Sequence, residues 1–136
     1  MSLDLLFHLS LLVALIGWAA LAAAPLAPAR LISFGGLAVP ALLSLAYAIL
    51  ALLHFPGGLT SLPDALLFFA SPGALLAGWV YYLAFDLFVG GWQVRDARRR
   101  GLRHLAVLPC LLLTLMLGPI GLLAYLALRQ IRTRPA

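Results

Sequence analysis

The sequence predicts an all-α integral membrane protein, a single domain over residues 1–136 with four transmembrane helices in one bundle and a short interfacial helix between the second and third. Three observations carry this. The chain is 65% apolar and only 10% charged, where soluble domains carry about 25% charge. Its apolar residues gather into four runs close to the ~20 residues that cross a bilayer as a helix. Clusters of Pro, Gly and Arg separate those runs and leave no room for a separate globular domain.

The first span is expected from Leu3 to Ala24, closed by Pro25 and Pro28, which remove backbone donors, with Arg30 marking the turn. The second is expected from Leu31 to Leu53. Gly35, Gly36 and Pro40 interrupt it, which a membrane helix tolerates when neighbours satisfy the freed carbonyls; His54, Pro56, Gly57 and Gly58 end it. Ser61, with Pro63 in the first turn and Asp64 three residues on, is a capping signature, so 62–70 should be helical. It is too short to span and belongs at the interface. Ser71-Pro72 repeats the start signal and opens a third span to about Trp92. Arg95, Arg98, Arg99, Arg100 and Arg103 should then form a loop over 93–103, before a fourth span from His104 to Leu128 that Pro109 and Gly118-Pro119 bend.

The chain carries nine Arg, no Lys, four Asp and neither Glu nor Asn. The +5 charge sits beside apolar spans, so it signals topology and anionic-lipid contact rather than nucleic acid. By the positive-inside rule the five-Arg loop is cytoplasmic, with both termini outside. The tail opposes this, because Arg129, Arg132 and Arg134 then fall on the outer side, three against six. The Ala, Leu, Arg and Gly bias points to a GC-rich bacterial genome and hence to the inner, cytoplasmic membrane. Leu5 to Ala24 is long for a signal-peptide core and lacks a basic start, so it is read as a span. Cys110 lies in an apolar run as a small core residue.

Polar and small residues recur at helical spacing on three spans. They are Pro40, Ser44, Tyr47, Ala51 and His54 on the second, Trp79, Tyr82, Asp86 and Gln93 on the third, and Cys110, Thr114, Gly118, Gly121 and Tyr125 on the fourth. Small residues line membrane helix interfaces for packing alone. Asp86 differs. A carboxylate roughly 9 Å inside a helix end costs on the order of 2.5–3.5 kcal/mol, so it either pairs with a snorkelling Arg such as Arg95 or Arg103 or serves a function. His8 and His54 should lie near one surface, but two His without a spacing motif are better explained as interfacial polar groups than as haem or metal ligands. No cofactor or metal is expected.

The run Gly78-Trp79-Val80-Tyr81-Tyr82-Leu83-Ala84-Phe85-Asp86-Leu87-Phe88-Val89-Gly90, followed by Asp96, His104, Pro109-Cys110-Leu111 and Gly118-Pro119-Ile120-Gly121-Leu122-Leu123, resembles the neoxanthin-synthase-like family, the abscisic-acid-deficient-like membrane proteins of plants and bacteria. The likeness is specific from Trp79 to Tyr125. It departs at Tyr81, where the family usually has His, and at Gly91, where it usually has Arg; helical geometry puts Tyr81 off the Asp86 stripe.

The resemblance implies an isomerase of carotenoid or isoprenoid molecules, of the kind that opens an epoxide to an allene by proton transfer without redox change. Asp86 would serve as base and Tyr82 or Tyr125 as hydrogen-bond donor. Trp79, Tyr47, Ser44, Thr114, Gly118 and Pro119 would line the substrate, a lipophilic polyene or isoprenoid entering sideways from the lipid. Membrane lipids, a second copy of the chain or pigment enzymes are the expected partners. Two other classes remain open: a non-catalytic carotenoid-binding or scaffold subunit, favoured by the missing His and Arg, and a small proton-coupled exporter, which needs a more central carboxylate.

Overall fold

A computed structural model describes residues 2–133. Their regular elements are all helical: α1 (Leu3–Ala22), α2 (Pro28–His54), α3 (Leu62–Ala70), α4 (Pro72–Arg99), α5 (His104–Leu117) and α6 (Pro119–Thr133). Three of them, α1, α2 and α4, are long and apolar enough to cross a membrane.

The helix starts are set locally. Ser2 caps α1 by accepting from the Leu5 N–H, and Ser61 caps α3 by accepting from the Asp64 N–H at 3.2 Å. Thr60 adds a hydroxyl bond to the Asp64 carboxylate, and α4 opens at Pro72 as expected, but the Ser71 side chain makes no capping bond. The ends shift from expectation where prolines permit. α1 stops at Ala22, and the prolines beyond it make a tight 3₁₀ turn, Ala24–Leu26, from which α2 starts at Pro28 rather than Leu31.

Pro40 is accommodated in α2 by widening the turn before it. Residues Phe34–Ala38 form a π turn, which relieves the clash a proline ring makes with the carbonyl four residues earlier. That turn carries Gly35 and Gly36, and both are consumed in packing. A Cβ on Gly35 would sit 2.5 Å from the Gly17 carbonyl of α1, and one on Gly36 would sit 2.9 Å from the Gly91 Cα of α4. With Gly90 against the Trp18 ring, these positions bring the backbones of α1, α2 and α4 into close contact, as small residues do in membranes. Leu21, Val80, Leu83, Leu87 and Val94 fill the core between them.

Two expectations fail here. The basic residues do not sit in a loop over 93–103: α4 continues to Arg99, and the connection is only Arg100 to Arg103. Asp86 therefore stands at the midpoint of α4, not roughly 9 Å from its end.

The second failure is larger. No single helix covers 104–128. Residues seven apart in a continuous helix are ~10.5 Å distant, yet a Cβ on Gly121 would overlap the backbone nitrogen and hydroxyl of Thr114. The chain reverses at Gly118, whose φ of 52° suits glycine, and α5 and α6 form an antiparallel hairpin. The contacts run in order along α4. Gly118 abuts Asp86, the Tyr125 hydroxyl donates to Asp96 at 2.6 Å, and Arg129 reaches Asp96 at 3.7 Å. Arg132 comes back beside Leu102, Arg103 and Ala106.

The hairpin thus enters and leaves at one end of the bundle, reaching about half the length of α4. Phe7 stacks on Trp79 while the Ala22 carbonyl meets His104, so the start of α1 lies at the opposite end of the bundle from Arg132. The opposed charge count is relieved among the described residues. Arg30, Arg95, Arg98, Arg99, Arg100, Arg103, Arg129 and Arg132 all gather at one end; Arg134 lies outside the described residues.

Candidate functional site

α4 is apolar for most of its length, and its polar inner stripe is correspondingly conspicuous. Trp79, Asp86 and Gln93 are spaced by seven residues, two helical turns each, so their side chains leave one face in a line. Each keeps a buried polar atom without a hydrogen-bond partner: Trp79 Nε1, Asp86 Oδ2 and Gln93 Oε1. Native structures leave few such atoms, and here the three among the described residues fall on a single stripe.

Asp86 is the centre of the arrangement. Among the described residues neither Arg95 nor Arg103 forms an ion pair with it, while Arg100 and Arg129 pair with Asp96, which sets aside the expected clasp by Arg95 or Arg103. Arg95 instead lies over the Phe88 ring. The Asp86 carboxyl faces the hairpin tip, where a Cβ on Gly118 would stand 3.3 Å from Oδ1 and 3.5 Å from Oδ2. α6 begins at Pro119, so the positive end of its dipole is directed at the carboxyl, as interrupted membrane helices present theirs to anionic groups. One turn back along α4, the Tyr82 phenol neighbours Asp86 and donates to the Leu115 carbonyl at 3.3 Å, a long bond that leaves the hydroxyl free to change partner.

Tyr82 and Trp79 also form a wall of a cavity of about 590 Å³. It lies between the C-terminal half of α2, α3 and the first turns of α4, and its walls are aromatic: Tyr47, Phe68, Phe69, Trp79, Tyr81 and Tyr82. The Phe7, Trp79 and Tyr82 rings stack in succession, with centroids 4.8 and 5.6 Å apart. Asp86 itself does not line this cavity, so Tyr82 is the link between the aromatic chamber and the carboxyl.

The expected site residues divide accordingly. Asp86, Tyr82, Trp79, Gly118 and Pro119 come together, and Tyr47 joins them across the cavity. Tyr125 does not: it is fully buried, but its hydroxyl is committed to Asp96, about 15 Å beyond Asp86 on the helix. Thr114 accepts from Gln93 at 2.9 Å and donates to the Cys110 carbonyl, a structural tie between α4 and α5. Ser44 is exposed beside Pro40, Phe85 and Phe88, in a separate recess between α2 and α4.

Tyr81, expected off the Asp86 stripe, lines the aromatic cavity, which Asp86 does not, and meets Tyr47 edge to face at 5.6 Å. Sequence reasoning missed it because helical angle alone, without α2 and α3, does not say which side of α4 is hollow. The other departure, Gly91, sits in the α2 crossing, where a Cβ would be 2.5 Å from Gly36; a long side chain there would force the helices apart.

The histidines are locally occupied. His8 Nδ1 lies 2.8 Å from the Asp4 carbonyl, and His54 packs on Gly73. Among the described residues no group of three or more His, Cys or Asp is placed to hold a metal ion.

The order of these features along the chain agrees with a comparison of the sequence with protein families. The family model described as ABA DEFICIENT 4-like matches residues 5–125. Comparison with curated proteins and with solved structures gives no match.

Proposed function

Since the chain belongs to the ABA DEFICIENT 4-like family, we propose that it is a membrane-embedded isomerase of a carotenoid-like or isoprenoid molecule, acting by proton transfer at Asp86 and Tyr82. In this proposal α1, α2 and α4 cross the bilayer, α3 lies at the interface and the α5–α6 hairpin dips in from the arginine-rich side. That side is cytoplasmic by the positive-inside rule, in an inner membrane.

The observation that carries the proposal is the pairing of Asp86, whose Oδ2 is buried and unpartnered, with Tyr82, which faces an aromatic chamber of about 590 Å³. A polyene end group stacks on the chamber's rings and reaches the carboxyl past Tyr82. Asp86 removes a carbon-bound proton, and the released electron pair becomes the new double bond. The epoxide C–O bond breaks, and its oxygen takes the Tyr82 proton. Asp86 then returns its proton to the phenolate. Mass is conserved and no electron acceptor is required. The low-dielectric surroundings strengthen each of these interactions.

The test is the pigment profile of a carotenoid-producing host. Wild type is expected to yield an isomer of unchanged mass, and Asp86→Asn to lower its rate by about 10²- to 10⁴-fold, the range for a lost general base. Tyr82→Phe should fall in the same range. A second reading is favoured by Tyr81, which stands in the chamber where the family usually has His: the chain then binds the pigment without converting it. Co-purification of colour with an unchanged pigment profile selects that reading and refutes the isomerase.

A further inference from the structure

The hairpin has an effect remote from Asp86. By returning α6 to the end where α5 began, it sets Arg132 opposite Arg103, and the two line a recess of about 410 Å³ with Gly101, Leu102, Leu105 and Ala106. Neighbouring charges are spoken for: Asp96 is bonded by Tyr125 and Arg100 and lies 3.7 Å from Arg129. Arg103 and Arg132 have no carboxylate partner among the described residues.

Arg103 is also the N-cap residue of α5, and no side chain caps that helix, so the positive end of its dipole opens on the same recess. Leu105, 69% exposed, gives the recess an apolar rim. Two convergent guanidiniums, a helix N-terminus and an adjoining apolar edge fit a phosphate group better than a carboxylate, because a phosphate accepts from two forks at once.

We propose that Arg103 and Arg132 form a phosphate-binding site at the arginine-rich end of the bundle, occupied by the headgroup of an anionic phospholipid or by a free phosphate or diphosphate. This inference is independent of the chemistry at Asp86.

The test uses the full chain purified in detergent, with binding of short-chain phosphatidylglycerol, phosphatidylcholine and inorganic pyrophosphate measured by native mass spectrometry. Phosphatidylglycerol should bind in preference to phosphatidylcholine. The double variant R103Q/R132Q should weaken its binding at least tenfold. The control R98Q/R99Q, which removes the same charge from exposed positions outside the recess, should change it less than twofold. R103K/R132K keeps the charge without the fork and should recover part of the loss, which separates a lost site from a lost fold. Competition by pyrophosphate identifies the phosphate alone as the ligand; binding of the lipid without pyrophosphate identifies the lipid as its source. Equal weakening by both Gln pairs, or by neither, overturns the site.

Discussion

Replacing Gly91 by Ala tests whether backbone contact between α2 and α4 holds the bundle. The added Cβ would stand 2.5 Å from the Gly36 Cα and 3.2 Å from its carbonyl oxygen. Carbon atoms in contact prefer about 3.5–4.0 Å, so the helices must part by roughly 1 Å at the crossing or the turn must deform. Both partners of the clash are backbone, and no side chain can swing away. Overpacking of this kind costs about 1–3 kcal/mol, which lowers the folded-to-unfolded ratio by roughly 5- to 150-fold. Gly36→Ala meets the same crossing at the milder distance of 2.9 Å and should cost less, whereas Gly58→Ala, with nothing within 4 Å, should cost little. Thermal unfolding in a single detergent, followed by Trp fluorescence, gives the ranking. A Gly91→Ala protein as stable as the Gly58→Ala control would refute the proposed close crossing and the role assigned to the π turn.

Further outcomes follow from the hairpin and its ties. Tyr125→Phe removes a short bond to a carboxylate with 15% side-chain exposure and should destabilise by about 1.5–3 kcal/mol, measured by the same unfolding assay. Thr114→Val should cost about 1–3 kcal/mol by leaving Gln93 with both polar ends unpaired, while Gln93→Leu, which also deletes the unpartnered oxygen, should cost less; the reverse order would contradict the Gln93–Thr114 bond. In a Cys110→Ala background, a membrane-impermeant maleimide should label Arg132→Cys and Arg99→Cys from one side and Thr60→Cys from the other. Labelling of Arg132→Cys from the Thr60 side would mean that residues 104–133 cross the membrane after all.

Much of the helical framework was legible because its signals are local. Ser61 starts its helix by a bond to Asp64 within one turn, and Pro72 starts the next through its fixed φ, without a side-chain cap from Ser71. Pro25 and Pro28 stop and restart the chain for equally local reasons. The hairpin was not legible from hydropathy, because a Leu-rich run from 104 to 128 has the same composition straight or folded. What decides between the two is tertiary: Gly121 on Thr114, Tyr125 on Asp96 and Arg132 beside Arg103. One signal was nonetheless present, the three tail arginines that opposed the loop arginines in the orientation count. Reversal at Gly118 removes that conflict without moving any charge.

The candidate site was partly legible in the same sense. Asp86, Tyr82 and Trp79 share a helical face by spacing alone, and the structure brings them together. Tyr125 shared the small-residue face only on the assumption of a straight helix, and with the reversal it went to Asp96. Tyr81 entered the chamber because α2 and α3 hollow out that side of α4, which no periodicity within α4 could reveal.

The half-depth hairpin also constrains how the polypeptide is made. Neither arm, at 14 or 15 residues, reaches the ~20 residues that cross a bilayer as a helix, and in the proposed disposition the Arg129 and Arg132 end does not pass through the hydrocarbon. In that disposition its two arms would enter as a pair, after synthesis of the long carboxylate-bearing helix has supplied the groove they fill. The tip that meets Asp86 would therefore be among the last parts of the protein to settle, and a nascent chain truncated before Gly118 would hold an exposed acid in lipid with nothing yet seated against it.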